Sequence, residues 1–533
     1  MNGNTRNANT RREFLANVGA GMFVAGLGPV LACELGLSPA FADDGSDNEA
    51  GLTFGPLEPL VDLMQQTPAD RLLHELVSRL QSGTDLRQLT AAAALANART
   101  FGGEHYRGYH AFMAIVPAYQ IAMECPEPRR ALPVLKVLYR NSEFIQSTGG
   151  NEVLHPVTPA ELRGAARPGE LLREANRQHD AEQADRVFAA MASTATPEES
   201  LNDILQFNVE DHASVHEVVL VWRAWALLDF TGREHAHTLL RQSVRQCIGK
   251  SQKNQPPDPR PALLAKLLDE YRLPESATGK RSADDRWVES MCRTILAPNE
   301  AQAAEAVAAA LAEGFKIEDV GEAISLAANQ LVLRQVDDWE GRMGTRTHGD
   351  SPGVHSSDAV NAWRNIARVS NVRNAAAAMI LAGYFVAGMH KPSSDPKSRG
   401  HDAEPYPHPD QLERIRTSEA GKLLSELDGA IRENDQLRAC ALAQKYSTLG
   451  HDPRGAFGTL RRYAISEDGR LHGEKYYRTV AEEFATARPA FRSRHLVSLA
   501  RVTASSYGYD LEDRVAGRAP GYAEACRLLK VDA

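Results

Sequence analysis

"YHAFMAIVPAYQIAMECPEPRRALPVLKVLY" (Tyr109–Tyr139) and "VHEVVLVWRAWALLDFTGREHAHTLLRQSVR" (Val215–Arg245) align without a gap. In both, a histidine opens an apolar run with helical spacing, a short turn interrupts it, and a second apolar run follows. His110 falls on His216, and Ala118-Tyr119 falls on Ala224-Trp225. A third copy, "VHSSDAVNAWRNIARVSNVRNAAAAMILAGYFVAG" (Val354–Gly388), sets His355 at the helix start and Ala362-Trp363 one residue early. A fourth, weaker copy is "LHGEKYYRTVAEEFA", with His472. Each strong copy follows another apolar helix: "LTAAAALANART", "SLNDILQFNV" and "AISLAANQLVLRQV". The unit reads helix, loop, histidine, helix, turn, helix. The intervals between units are too long and irregular for a solenoid of short repeats, so internal duplication within one helical domain is expected.

The rest of the chain is helical by the same signals. "TPADRLLHELVSRLQSG" offers Thr67-Pro68 as cap and first-turn proline, an apolar stripe through Leu72, Leu73, Leu76, Val77 and Leu80, and a stop at Gly83. Thr196, Pro197 and Glu199 make a capping box, and Asn299 caps a run that ends at Gly314. Strand-like alternation is almost absent, so the expected fold class is all-α. Two proline-rich, charged stretches, Gly249–Pro261 and His390–Asp410, read as surface connections. They divide residues 51–533 into helical blocks at 51–248, 285–389 and 411–533, which can pack as one domain.

Composition excludes some functions. A net charge of −9 gives no basic stripe for nucleic acid. Of the six cysteines, Cys33 lies near the N-terminus, and Cys125, Cys247, Cys292, Cys440 and Cys526 are scattered with no C-x-x-C. They read as small buried apolar residues and not as a disulfide framework.

The N-terminus resembles a twin-arginine export signal. "TRREFLA" carries Arg11-Arg12 with Phe14 and Leu15 at the consensus spacing, a glycine-rich apolar run follows, and Ala40-Phe41-Ala42 precedes the acidic linker 43–50. Cleavage is expected after Ala42, with lipid attachment at Cys33 the rival, since Leu31 suits a lipobox poorly. The resemblance implies passage of an already folded protein through the twin-arginine export machinery to the periplasm or beyond. No transmembrane segment is expected in the mature chain.

Histidines at helix starts are the strongest chemical signal. The positive end of a helix dipole disfavours imidazolium and keeps the ring neutral near pH 7. A neutral imidazole can ligate a metal, accept a proton or donate to an oxyanion. His110, His216 and His355 are therefore candidate metal ligands. His105, His212 and His348, one in the loop before each, are candidate acid/base groups or further ligands. Glu104, Glu210, Asp211, Asp350 and Asp358 could complete a site suited to iron, manganese or zinc. The matched aromatics Tyr119, Trp225 and Trp363 read as core. Ser214-x-x-Glu217 reads as a capping box that starts the His216 helix at Ser214. No H-E-x-x-H, nucleophile elbow, phosphate loop or dinucleotide fingerprint occurs.

The repeated histidine-led helix resembles the questin oxidase-like family of all-helical proteins, the likeness resting on His110, His216 and His355. That resemblance implies oxygen-dependent oxidation of an aromatic or quinone-like compound. Three functions remain open on the sequence. The first is an exported metal-dependent oxidoreductase acting on a small organic substrate. The second is a helical scaffold binding a protein or glycan, with the histidines as caps. The third is a helical-toroid carbohydrate-active enzyme.

Overall fold

The computed structural model describes residues 51–149, 153–162, 167–207, 214–250, 258–273, 279–335, 348–390, 403–508 and 521–532. The signal segment 1–42, the linker 43–50, Cys33, His212, Glu210 and Asp211 lie outside these residues. Among the described residues the chain is helical with no strands, apart from one isolated bridge between Arg281 and Phe315. The all-α expectation holds.

Four helical hairpins build the centre, and their helices alone are numbered below. They are α1 (Tyr106–Glu124) with α2 (Leu132–Ser147), and α3 (Val215–Thr231) with α4 (Ala236–Lys250). The second half adds α5 (Pro352–Val369) with α6 (Val372–Met389), and α7 (Arg470–Thr486) with α8 (Arg492–Ser506). The first helix of each pair faces inward. Packing runs α1 to α3, α3 to α5, α5 to α7 and α7 back to α1, closing a four-sided inner bundle. The second helix of each hairpin packs outside its own partner. Helix Leu86–Phe101 braces α1, α2 and α3, helix Ile317–Arg334 braces α5, α6 and α8, and helix Gln436–Thr448 covers α8.

Local chemistry starts these helices where they are needed. Leu86–Phe101 ends on Gly102 in the left-handed region, and Gly103, at φ 82°, continues the reversal into α1. A side chain at Gly103 would meet the Gln242 carbonyl at 2.2 Å, so the loop can lie against α4 only as glycine. Ser351 caps α5 by accepting from the Val354 N–H, with Pro352 in the first turn. Asn371 caps α6 by accepting from the Asn374 N–H at 2.9 Å. One hydrophobic core runs from Leu52 to Cys526. Helix α6 is long and apolar enough to cross a membrane by composition, but 67% of that stretch is buried inside the protein.

Several local expectations hold. Thr196 and Glu199 form their capping box, and Asn299 caps its helix through the Gln302 N–H. Trp225 and Trp363 are core residues, and Tyr119 packs edge-on against Phe230. Cys125, Cys247, Cys292, Cys440 and Cys526 are all buried thiols. Two expectations shift. Pro68, not Thr67, is the cap residue of Ala69–Gln81. Ser214 is the cap position of α3, but no capping box forms, because its hydroxyl bonds the Glu217 carboxylate directly.

Candidate functional site

All four inner helices begin at the same end of the bundle, and each carries its histidine within the first five residues. Because Cα–Cβ bonds tilt toward a helix N-terminus, the four rings lean together over that end. Ring centroids lie 4.8 Å apart for His110 and His216, 5.9 Å for His216 and His355, 5.4 Å for His355 and His472, and 5.6 Å for His472 and His110. The order around this square is the packing order of the helices. The rings of His110, His216 and His355 come together, and His472 closes the figure.

Hydrogen bonds orient two of the rings. His110 Nδ1 lies 2.7 Å from the Tyr106 carbonyl, and His355 Nδ1 lies 3.0 Å from the Ser351 carbonyl, four residues upstream in both cases. A carbonyl only accepts, so Nδ1 carries the proton and the lone pair of the neutral ring sits on Nε2. An N–H to a backbone carbonyl is the arrangement that commonly orients a metal-ligating histidine. His472 Nε2 is buried with no hydrogen-bond partner. Burial holds the His472 pKa well below the ordinary 6.5, and the charge of Lys475 and the other three rings push it the same way. His472 is therefore neutral at physiological pH.

The square is recessed without being sealed. His110 is buried, whereas His216, His355 and His472 retain partial exposure. Tyr106 covers one side, 4.3 Å from His110 and 6.0 Å from His216, and is itself 61% exposed. Tyr109 lies 4.9 Å from His110 and 5.4 Å from His216. Its phenol pKa is raised, first by burial and then by Tyr106 and Glu217, so it stays protonated. Behind His472 lies a cavity of about 20 Å³ bordered by Gly349, Asp468, Gly473 and Tyr476, large enough for one water molecule.

Below the rings the bundle interior stays polar. Asp358, one turn below His355, accepts from the Thr479 hydroxyl at 2.8 Å. Lys475, one turn below His472, is wholly enclosed, and desolvation brings its pKa down to about 8 against the opposing pull of Asp358. Farther down, Asn361 donates to Glu482 and Glu483 at 3.0 Å each, and Arg364 pairs with Glu483. On α7 the residues His472, Lys475, Thr479 and Glu482 form a stripe at i, i+3, i+7 and i+10, a polar face where core would be expected. Lys475, Thr479 and Glu482 were missed in the sequence, although that stripe was their available signal.

Spacing and donor type decide whether a metal fits. With zinc–nitrogen bonds of about 2.0–2.1 Å, a ring centroid stands about 3.2 Å from the ion, so tetrahedral neighbours lie about 5.2 Å apart. The observed sides, 4.8 to 5.9 Å, bracket that value, but a flat square of such sides would set each ring about 3.8 Å from its centre, farther than those bonds reach. As the rings stand, no group of three or more His, Cys, Asp or Glu side chains among the described residues could hold a metal ion. The centroids are set by four helix backbones, whereas nitrogen direction depends on χ2, a broad torsion for histidine.

The other candidates are placed differently. His105 is the cap residue of α1: its Nδ1 accepts the Gly108 N–H at 3.1 Å, and its ring stacks on Phe101 at 4.9 Å. Its pKa is lowered by burial and then by Arg107. A capping role therefore replaces the acid/base role expected of it. His348 is fully buried, with its backbone N–H on the Ser505 hydroxyl, beside α8. Glu104 is engaged by Arg245 at 2.5 Å. Asp358, one of the carboxylates proposed as ligands, lies in the polar layer beneath the square.

No family model, curated protein or solved structure matches this chain.

Proposed function

We propose that this chain is a metal-dependent oxidoreductase acting on a small organic substrate, with His110, His216, His355 and His472 holding the metal. The observation that carries the reading is the closed square of four histidines, one from each inner helix, with two rings fixed in the Nδ1–H form. Of the candidate ions iron, manganese and zinc, an all-imidazole set suits iron and zinc better than manganese. Bound there, a redox metal would supply electron transfer to or from substrate. The chain's own residues do the rest. Tyr106 stands at the open side to meet substrate, and Tyr109 keeps a protonated phenol beside two of the rings. Asp358, Thr479 and Lys475 hold the helices that carry His355 and His472 in register. Protonated Tyr109 would serve such chemistry as a proton donor beside the rings.

Metal analysis of purified protein tests the reading. One equivalent of iron or manganese, lost in His216→Ala and His472→Ala variants that still fold, supports it. Metal-free protein that folds unchanged in chelator, with both variants indistinguishable from wild type, favours the scaffold with capping histidines.

The same proposal includes export. Arg11-Arg12 ahead of the glycine-rich run would direct the folded protein through the twin-arginine machinery, with cleavage near Ala42. Replacing both arginines by lysine should retain the protein in the cytoplasm. Unchanged export of that variant would remove this part.

A further inference from the structure

Arg223 on α3 and Lys475 on α7 enter the interior from opposite walls of the four-sided bundle, and each keeps only 3% of its surface. Among the described residues neither makes a hydrogen bond or an ion pair. Buried cations are ordinarily paired, because an uncompensated charge inside a protein is costly. Two such groups in one interior call for a partner.

The neighbouring carboxylates are already committed. Glu482 accepts from Arg478 at 2.9 Å and from Asn361 at 3.0 Å. Glu483 pairs with Arg364, and Glu474 lies 2.8 Å from Lys136. On α1, one and two turns below His110, stand Met113, Ala114 and Pro117, none of them charged. That leaves Asp358, which accepts from Thr479 and feels both cations. Lys475, with its pKa brought down to about 8, stays protonated at neutral pH. Arg223, Lys475 and Asp358 therefore leave one positive charge over. Burial raises the Asp358 pKa, and a proton there would only enlarge the excess.

The cations are not packed solid. The Arg223 Nε is fully occluded, whereas the two terminal nitrogens are not, so the end of the guanidinium fork faces space inside the bundle. A free planar fork matches a carboxylate bidentately. We propose that the bundle interior binds a small carboxylate of one or two carbons, held by the Arg223 fork and the Lys475 ammonium beneath the histidine rings. It enters past His216 and His355, which are partly exposed. The site needs no ion at the four rings and stands apart from the metal reading.

Carbon-13 line broadening of labelled formate and acetate tests it, on full-length protein at constant ionic strength. The buffer is a bulky sulfonate, and the neutral chelator 1,10-phenanthroline removes any metal-bound carboxylate. The expected result is saturable binding that chloride displaces only at about tenfold higher concentration. Arg223→Met and Lys475→Met should each weaken it by about tenfold to a hundredfold. Arg223→Met should also melt at a higher temperature than wild type in carboxylate-free buffer, because it removes an unpaired buried charge. Absence of broadening in wild type, or chloride displacing at equal concentration, overturns the proposal. So does unchanged binding in either variant that keeps the helical circular dichroism of wild type.

Discussion

Lys136 and Glu474 meet at 2.8 Å with neither side chain exposed, joining the first hairpin to the last and closing the inner bundle. Lys136 also donates to the Arg470 carbonyl at 2.6 Å, at the first residue of α7. The pair therefore sets where the His472 helix begins relative to α2.

Removing one member leaves the other charged and buried. Lys136→Met should cost about 3–5 kcal/mol of unfolding free energy, whereas the double replacement Lys136→Met with Glu474→Leu should recover most of it. Urea denaturation of the single and double variants measures this. Equal losses in both would show that the pair acts through shape alone.

Metal binding should couple to stability. At ligand a hundredfold above its dissociation constant, a bound ion adds about 2.7 kcal/mol. Wild-type protein should therefore lose melting temperature in chelator, and His472→Ala should melt at one temperature with or without it. A chelator effect that persists in His472→Ala would place the ion elsewhere.

Gly473 follows His472 and packs against the end of helix Pro453–Ala464, where an added Cβ would stand 2.3 Å from the Ala464 carbonyl. That backbone cannot move without displacing the helix. Gly473→Ala should cost about 1–3 kcal/mol and weaken metal uptake together. Gly458→Ala, with nothing within 4 Å, is the matched control in the neighbouring helix, and a comparable loss there would sink the steric account.

His495 supplies a pH signature independent of the centre. Burial lowers its pKa to about 3, with Arg364 and Arg494 acting the same way. The folded protein therefore keeps it neutral, whereas the unfolded chain protonates it below about 6.5. Stability from this group is complete above pH 6.5 and falls by about 1.4 kcal/mol per pH unit on acidification toward pH 3. His495→Gln should reduce the slope of unfolding free energy against pH by one proton over that window. An unchanged slope would refute the assignment.

Tyr106 is exposed, so Tyr106→Ala should leave stability within about 0.5 kcal/mol. It touches His110, so the same change should alter the spectrum of the cobalt-loaded protein. A silent spectrum would mean the tyrosine does not face the bound ion.

Helix identity was written locally. Apolar spacing, the Asn299 and Thr196 caps and the Gly314 stop each depend on a few neighbouring residues, and all are legible in the sequence. The placement of His110, His216 and His355 in opening turns was legible for the same reason. His472 looked like the weakest copy in sequence, yet it occupies a full corner of the square. His105 looked equivalent to the loop histidines, but Gly108 and Phe101 fix it as a cap.

The tertiary structure alone decided that four distant helix starts meet, in which order, and with which charges beneath them. Ring-to-ring distance depends on how whole helices pack, and packing is set by side-chain faces far apart in the chain. The sequence determined helices and their histidine-bearing starts because those obey short-range rules. Convergence, the burial of Lys475 and Asp358, and the demotion of His105 follow from long-range contacts that no local pattern encodes.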